Sequence, residues 1–111
     1  MTTLEKGWAD VCAAQDIVPG TGVCALVGGH HVAVFRLRDE RVFAIGNVDP
    51  KSGASVLARG LVGNLGDRVV VASPLYKQHF DLSTGECLEE PAQSVPVYAA
   101  KIDNARVWVA A

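Results

Sequence analysis

Between residues 23 and 109 no apolar run goes far before a turn signal cuts it, and that punctuation most restricts what the chain can fold into. Val23 to Val27 and His31 to Arg38 flank Gly28-Gly29. Paired glycines accept the positive φ angles of a tight hairpin. In the second of these runs Ala33, Phe35 and Leu37 alternate with Val34, Arg36 and Arg38. The spacing predicts a strand that buries one face and sends its arginines to solvent. Asp39-Glu40 then turns the chain into Arg41 to Ile45, and Val69-Val70-Val71 sits inside Arg68 to Ala72, a length suited to a central strand. His79 to Leu82 and Glu86 to Leu88 bracket Ser83-Thr84-Gly85, a second hairpin signal. Val95 to Ile102 meets Ala105 to Val109 across Asp103-Asn104. Pro96 has no N–H for a ladder, so its strand is expected at an edge or to begin near the proline. The expectation is an all-β fold of antiparallel sheets, with Phe35, Phe43, Val70 and Phe80 in the core. Trp8 and Trp108 each need a partner for the indole N–H if buried.

One segment departs from this pattern. Ser52 to Arg59 offers Ser52 as an N-cap, apolar Val56 and Leu57, and a stop at Gly60, which reads as a short helical turn inside a long connection. No repeat, low-complexity stretch or linker divides the chain, so residues 1–111 are expected to form one domain with its core at about 8–109. Half of the residues are hydrophobic and a fifth are charged, which argues against disorder. A formal net charge of −2 gives no basic footprint for nucleic acid and no polybasic anchor for a membrane. The amino terminus lacks the apolar core of a leader, and no run approaches the roughly 18 residues of a membrane helix. Cys12, Cys24 and Cys87 are odd in number and widely spaced, a poor disulfide framework. Cys24, within an apolar stretch, is expected to act as a small hydrophobe. Together these features imply a reduced, cytoplasmic protein.

The informative stretch is Ser73-Pro74-Leu75-Tyr76-Lys77-Gln78-His79-Phe80-Asp81-Leu82-Ser83-Thr84-Gly85-Glu86, followed by Pro91-Ala92. It resembles the second cluster-binding loop of Rieske proteins, where Cys-Pro-x-His precedes a Phe-Asp-x-x-Thr-Gly hairpin. Upstream, Phe43-Ala44-Ile45 leads into Asn47-Val48-Asp49-Pro50, where Rieske proteins carry Cys-x-His. The resemblance implies a Rieske-like domain of antiparallel sheets over most of residues 8 to 109.

A Rieske centre holds one iron by two thiolates and the other by two imidazoles. At the matching positions this chain has Asn47, Asp49, Ser73 and Tyr76. A neutral amide and two hydroxyls replace soft or imidazole donors, and one carboxylate does not hold a two-iron cluster. No cluster ligand carries over, and no cofactor or metal is expected in this chain. Other residues do not rebuild a site. His30 and His31 are adjacent at a strand start and should point to opposite faces, one to solvent and one partly buried. His79 and Cys87 make no recognised ligand spacing, and His79 is expected to be packed or hydrogen-bonded. Glu89-Glu90 reads as a solvated charge pair. No nucleophile–base order or phosphate loop stands out, so no catalysis is expected from the chain alone.

The wording of Asn47 to Pro50, of Gly53-Ala54-x-Val56-Leu57-x-Arg59-Gly60 and of Ala72 to Phe80 is similar to the small subunits of the assimilatory NAD(P)H-dependent nitrite reductases. That likeness implies an accessory chain without a redox centre. Its partner would be a large subunit that carries FAD, an iron–sulfur cluster and siroheme and reduces nitrite to ammonia. An electron-carrying Rieske ferredoxin and a stand-alone β interaction module are the rival readings. In Rieske proteins the two loops form one tip that meets the partner, which places Leu75, Tyr76 and Lys77 as partner-binding residues. The competing role for Tyr76 is to fill the volume the cluster left.

Overall fold

The alternating runs pair as antiparallel ladders in the computed structural model, which describes residues 7–111. The segment 1 to 6, on which the reading of no leader chiefly rests, lies outside the described residues. The strands are β1 (Trp8–Ala13), β2 (Thr21–Val27), β3 (His30–Arg36), β4 (Val42–Gly46), β5 (Leu61–Leu65), β6 (Arg68–Ala72), β7 (His79–Asp81), β8 (Val97–Asp103) and β9 (Arg106–Ala110). A six-stranded sheet has the order β1-β9-β8-β4-β3-β2, and a three-stranded sheet has the order β5-β6-β7. Among the described residues the only helical pieces are 3₁₀ turns at Ala14–Asp16, Leu57–Arg59 and Pro91–Gln93, and none is long enough to cross a membrane.

Two apolar clusters hold the sheets. Phe35, Ile45, Leu57, Val71, Phe80 and Leu82 fill the space between the two layers. Val32, Val34, Ala44, Val107 and Val109 pack on the opposite face of the larger sheet, which curls over them with Ala14 and Ile17. Phe35, Phe80 and Val70 are buried as expected, while Phe43 only borders the first cluster, its ring 5.7 Å from the Arg41 guanidinium carbon. Trp108 is buried, and its indole N–H donates to the Asp103 carbonyl at 3.2 Å.

Several sequence expectations need correction. β3 buries both faces, not one, because the curled sheet supplies a second core: Val34 is fully enclosed. Arg36, half-buried, donates to the carbonyls of Ala14 at 3.1 Å and Ile17 at 3.0 Å. Of the two alternatives for the Pro96 strand the second holds: β8 is interior rather than an edge, and it begins at Val97, just past Pro96, whose carbonyl accepts from Gly46 N at 2.8 Å. Glu86 to Leu88 forms no strand and contributes only the bridge Phe80↔Cys87. The helical turn shrinks to Leu57–Arg59. Its preceding residue is Val56, with no side-chain cap, while Ser52 Oγ accepts from Ala54 N inside an earlier turn. Gly60 ends it as expected, since a Cβ there would collide with the Ala72 carbonyl. Cys24 is exposed rather than packed, and Cys87 is the buried thiol.

Candidate functional site

The two loops singled out by sequence leave β4 and β6, strands of different sheets, and meet through Asp49 and Ser73. The first leaves β4. Asn47 N donates to His31 O at 2.9 Å, ending the β3–β4 ladder. Its side chain then organises the insertion: Oδ1 accepts from Ala58 N at 2.7 Å, and Nδ2 donates to Ser55 Oγ at 2.7 Å and Cys24 Sγ at 3.3 Å. The Asn47 carbonyl accepts from both Val56 N and Leu57 N at 3.0 Å. A residue lacking this amide could not hold the connection this way.

Asp49 is fully enclosed. Its Oδ1 accepts from Lys51 N at 2.8 Å, the side-chain-to-backbone turn that Asp favours. Its Oδ2 accepts from Ser73 Oγ at 2.5 Å, a bond between the two loops. The second loop is closed by Ser73 N to Gln78 O at 2.8 Å and Lys77 N to Ser73 O at 3.0 Å. Lys77 takes a left-handed φ of 63° to complete it. Leu75 and Tyr76 are left half exposed, at 49% and 51%, and Lys77 is exposed. The Lys51 ammonium sits 5.0 Å from the Tyr76 ring centroid.

The four positions therefore divide. Asn47, Asp49 and Ser73 are buried, the last two bonded to each other, and Tyr76 is half exposed. Asp49 and Ser73, not Tyr76, occupy the ground between the loops. These residues do not fit a [2Fe-2S] cluster. They offer no thiolate and no imidazole; Ser73 and Asp49 are bonded to each other between the loops, and the Asn47 amide is spent on Ser55 and Ala58 N within the insertion. Among the described residues no three His, Cys, Asp or Glu side chains are grouped to hold a metal.

Two of the three histidines, His31 and His79, take part in side-chain hydrogen bonds. His30 and His31 do lie on opposite faces, but both are exposed, against the expectation that one is partly buried. His30 lies 5.9 Å from the Tyr98 ring. His31 Nδ1 is 2.9 Å from Ser55 Oγ, which also accepts from Asn47 Nδ2, so Ser55 links the histidine to the amide. His79 is hydrogen-bonded as expected, its Nδ1 2.6 Å from Glu89 Oε2, while its backbone N donates to Oε1 at 2.7 Å. Glu89 is thus engaged rather than merely solvated. Burial works to raise its pKa, but the His79 amide and ring outweigh that and hold it below the usual range.

Sequence reasoning missed Ser55, the node joining His31 to Asn47, and missed Gln78, buried with its Oε1 unpartnered. It also missed Lys51 and Arg59, whose cations flank the loops. The signal available was local: each lies within the insertion or beside a cluster position.

The chain matches the Rieske-like [2Fe-2S] domain family over residues 7–110. It is 50% identical over 98 residues to the NADH nitrite reductase small subunit of Salmonella typhimurium, covering 87% of this chain and 91% of that protein. It is 38% identical over 104 residues to the NAD(P)H nitrite reductase large subunit of Klebsiella oxytoca, covering 94% of this chain but 11% of that protein. Its fold superimposes with a TM-score of 0.90 on a Mycobacterium tuberculosis chain described as an NADH-dependent nitrite reductase small subunit, at 49% identity and with 94% of each chain covered.

Proposed function

This chain belongs to the Rieske-like domain family, within its nitrite reductase small subunits, and from that premise we propose that it serves an NAD(P)H nitrite reductase as a single accessory domain with no redox centre of its own. The observation that carries the proposal is the hydrogen bond from Ser73 Oγ to Asp49 Oδ2, which joins the loops where the family's cluster would join them. The fold keeps the frame of an iron–sulfur domain and replaces the metal bridge with a polar one. What remains at the tip is a rigid pair of loops presenting Leu75, Tyr76 and Lys77, which suits contact with a partner rather than electron transfer.

The partner is the large subunit, which supplies the flavin, iron–sulfur and siroheme chemistry in the cytoplasm. On this reading the electrons reach nitrite through the large subunit's centres, and this chain needs that partner for turnover. Two measurements test the reading. Anaerobic incubation of the purified chain with iron and sulfide should leave it colourless, because thiolate-to-iron charge transfer needs the missing ligands. Stoichiometric cluster absorption in the visible would overturn the assignment. Nitrite-dependent NAD(P)H oxidation should require added large subunit, and turnover by this chain alone would contradict the accessory role.

A further inference from the structure

The tip is one corner of a larger face. Arg36, Arg41, Arg68 and Arg106 each pair with a carboxylate of the chain itself. Five cations have no such partner among the described residues, Arg38, Lys51, Arg59, Lys77 and Lys101, and three of them, the exposed Lys51, Arg59 and Lys77, lie on or beside the loops. The carboxylate within the loops, Asp49, is enclosed and bonded to Ser73 and Lys51 N, and it makes no ion pair with any of the three. Arg59 and Lys77 line one shallow cleft of about 130 Å³ with Leu61 and Pro74. Lys51 lies against Tyr76. Leu61 is 78% exposed at the free edge of the smaller sheet, and Leu75 and Tyr76 are half exposed on the loop whose Pro74 and Lys77 line that cleft with it. An apolar and aromatic centre within a cationic margin is the composition of a binding face, and its charge opposes the chain's net −2.

The strand register adds an independent observation. Trp8 pairs with Ala110, Ala110 with Ala99, and Val97 with Ile45, one residue before Gly46 and Asn47. The backbone therefore enters the domain at Trp8 and leaves it at Ala110 on the same end as the loops. In the Klebsiella large subunit a counterpart of this domain occupies 11% of a longer chain. Whichever end joins it, the connection to the rest of that chain departs from the end that carries the loops. A short tether there raises the effective concentration of the remaining chain against this face.

We infer that Leu61, Leu75 and Tyr76, ringed by Lys51, Arg59 and Lys77, dock onto an acidic-rimmed apolar surface of the large nitrite reductase subunit, with the domain's own chain ends at the margin of that interface. This rests on the accessory-subunit reading above. The cations steer encounter, and the apolar centre sets the lifetime of the complex.

The test measures binding of the full chain to purified large subunit by biolayer interferometry, at low and at half-molar salt. The parent should bind, and its association rate should fall steeply with salt. Leu75→Ala with Tyr76→Ala should weaken affinity at least about 30-fold, mainly through faster dissociation. Lys51→Glu, Arg59→Glu and Lys77→Glu should each slow association, while Arg38→Glu, the same charge change at the far end, should leave it unaltered. Thermal melts of each variant separate lost binding from lost folding, and the exposed charge reversals keep the test open if the double alanine variant unfolds. Tip variants that bind as tightly as the parent, or lose only self-association, overturn this docking face and leave the accessory role standing. No binding by the parent at either salt concentration overturns the accessory role itself.

Discussion

Two buried aspartates, one at each end of the sandwich, are held by nearly the same turn and finished by different partners. Asp81, toward the far end, accepts from Ser83 N at 2.7 Å and Thr84 N at 3.1 Å through Oδ1, and from Arg68 Nε at 2.7 Å through Oδ2. Asp49, at the loops, accepts from Lys51 N at 2.8 Å through Oδ1, and from the Ser73 hydroxyl through Oδ2. A cation completes the first and a neutral hydroxyl the second. The far end thus spends Arg68 and Arg41 internally, since Arg68 also reaches Glu86 and Arg41 pairs with Asp39, and of its arginines Arg38 alone has no carboxylate partner among the described residues. The loop end satisfies its carboxylate without spending a cation, and its lysines and Arg59 face outward. One end is closed on itself, and the other is stable yet left with unused charge and apolar surface.

Replacing Asp81 should break the closed end most severely. In Asp81→Asn the amide N–H₂ would face a guanidinium that can only donate, so a buried donor and Arg68 both lose their acceptor. A loss of about 2–3 kcal/mol is expected, read as a lower urea midpoint with unchanged slope. The same contact makes stability depend on acid. Burial raises the Asp81 pKa, but the Arg68 guanidinium and the amides of Ser83 and Thr84 more than offset it, leaving the group below its ordinary value. A carboxyl with a lowered folded pKa contributes fully above its unfolded value of about 3.9 and loses that contribution as pH falls through the folded one. The parent should therefore lose stability below about pH 4, and Asp81→Asn should show a flatter profile there. An equally steep acid loss in the variant would remove Asp81 from the explanation.

At the loop end the partner's chemistry predicts a different response. Ser73→Ala leaves Asp49 Oδ2 enclosed without a donor and should cost about 1–2 kcal/mol. Asp49→Asn should cost less, under about 1 kcal/mol, because a hydroxyl can turn and accept from the new amide while Oδ1 keeps its backbone bond. If Asp49→Asn proves as damaging as Asp81→Asn, the contrast between the two ends fails. Thermal melts of the three variants under one buffer decide it.

These differences show what the sequence could and could not carry. β2 to β4, β6 and the β8–β9 pair were legible because alternation and turn residues agreed there. β1 was not, since Trp8 to Ala13 is half-buried along its whole length and shows no clean two-residue rhythm. β5 was hidden by Gly63 and Asn64 at its centre, and it exists because β6 pairs with it along its whole length. The one-faced reading of β3 failed because its second core comes from β9 and the Ala14–Asp16 turn, remote in sequence. The four positions set against the Rieske cluster ligands followed from the resemblance of the two loops to that family. That Asp49 and Ser73 touch could not, because they are 24 residues apart and meet only through the stacking of two sheets.

The smallest expected effect bears on Tyr76, which either fills the space between the loops or stands outside it. A side chain that plugs a vacated site is enclosed, and truncating it leaves a void that costs several kcal/mol. Here that ground is held by Asp49 and Ser73, and Tyr76 is 51% exposed, with a lysine over its ring and Leu75 similarly open. Truncating exposed side chains removes little buried area, and an exposed cation–π contact is worth about 0.5–1 kcal/mol. The double variant Leu75→Ala, Tyr76→Ala should therefore melt within a few degrees of the parent, well above Ser73→Ala and Asp81→Asn. Such a result means these two side chains do little for the isolated fold, as expected of groups kept for a partner. A fall as large as that of Asp81→Asn would mean that Tyr76 seals the loops in solution, and the loop end would then be closed on itself like the other.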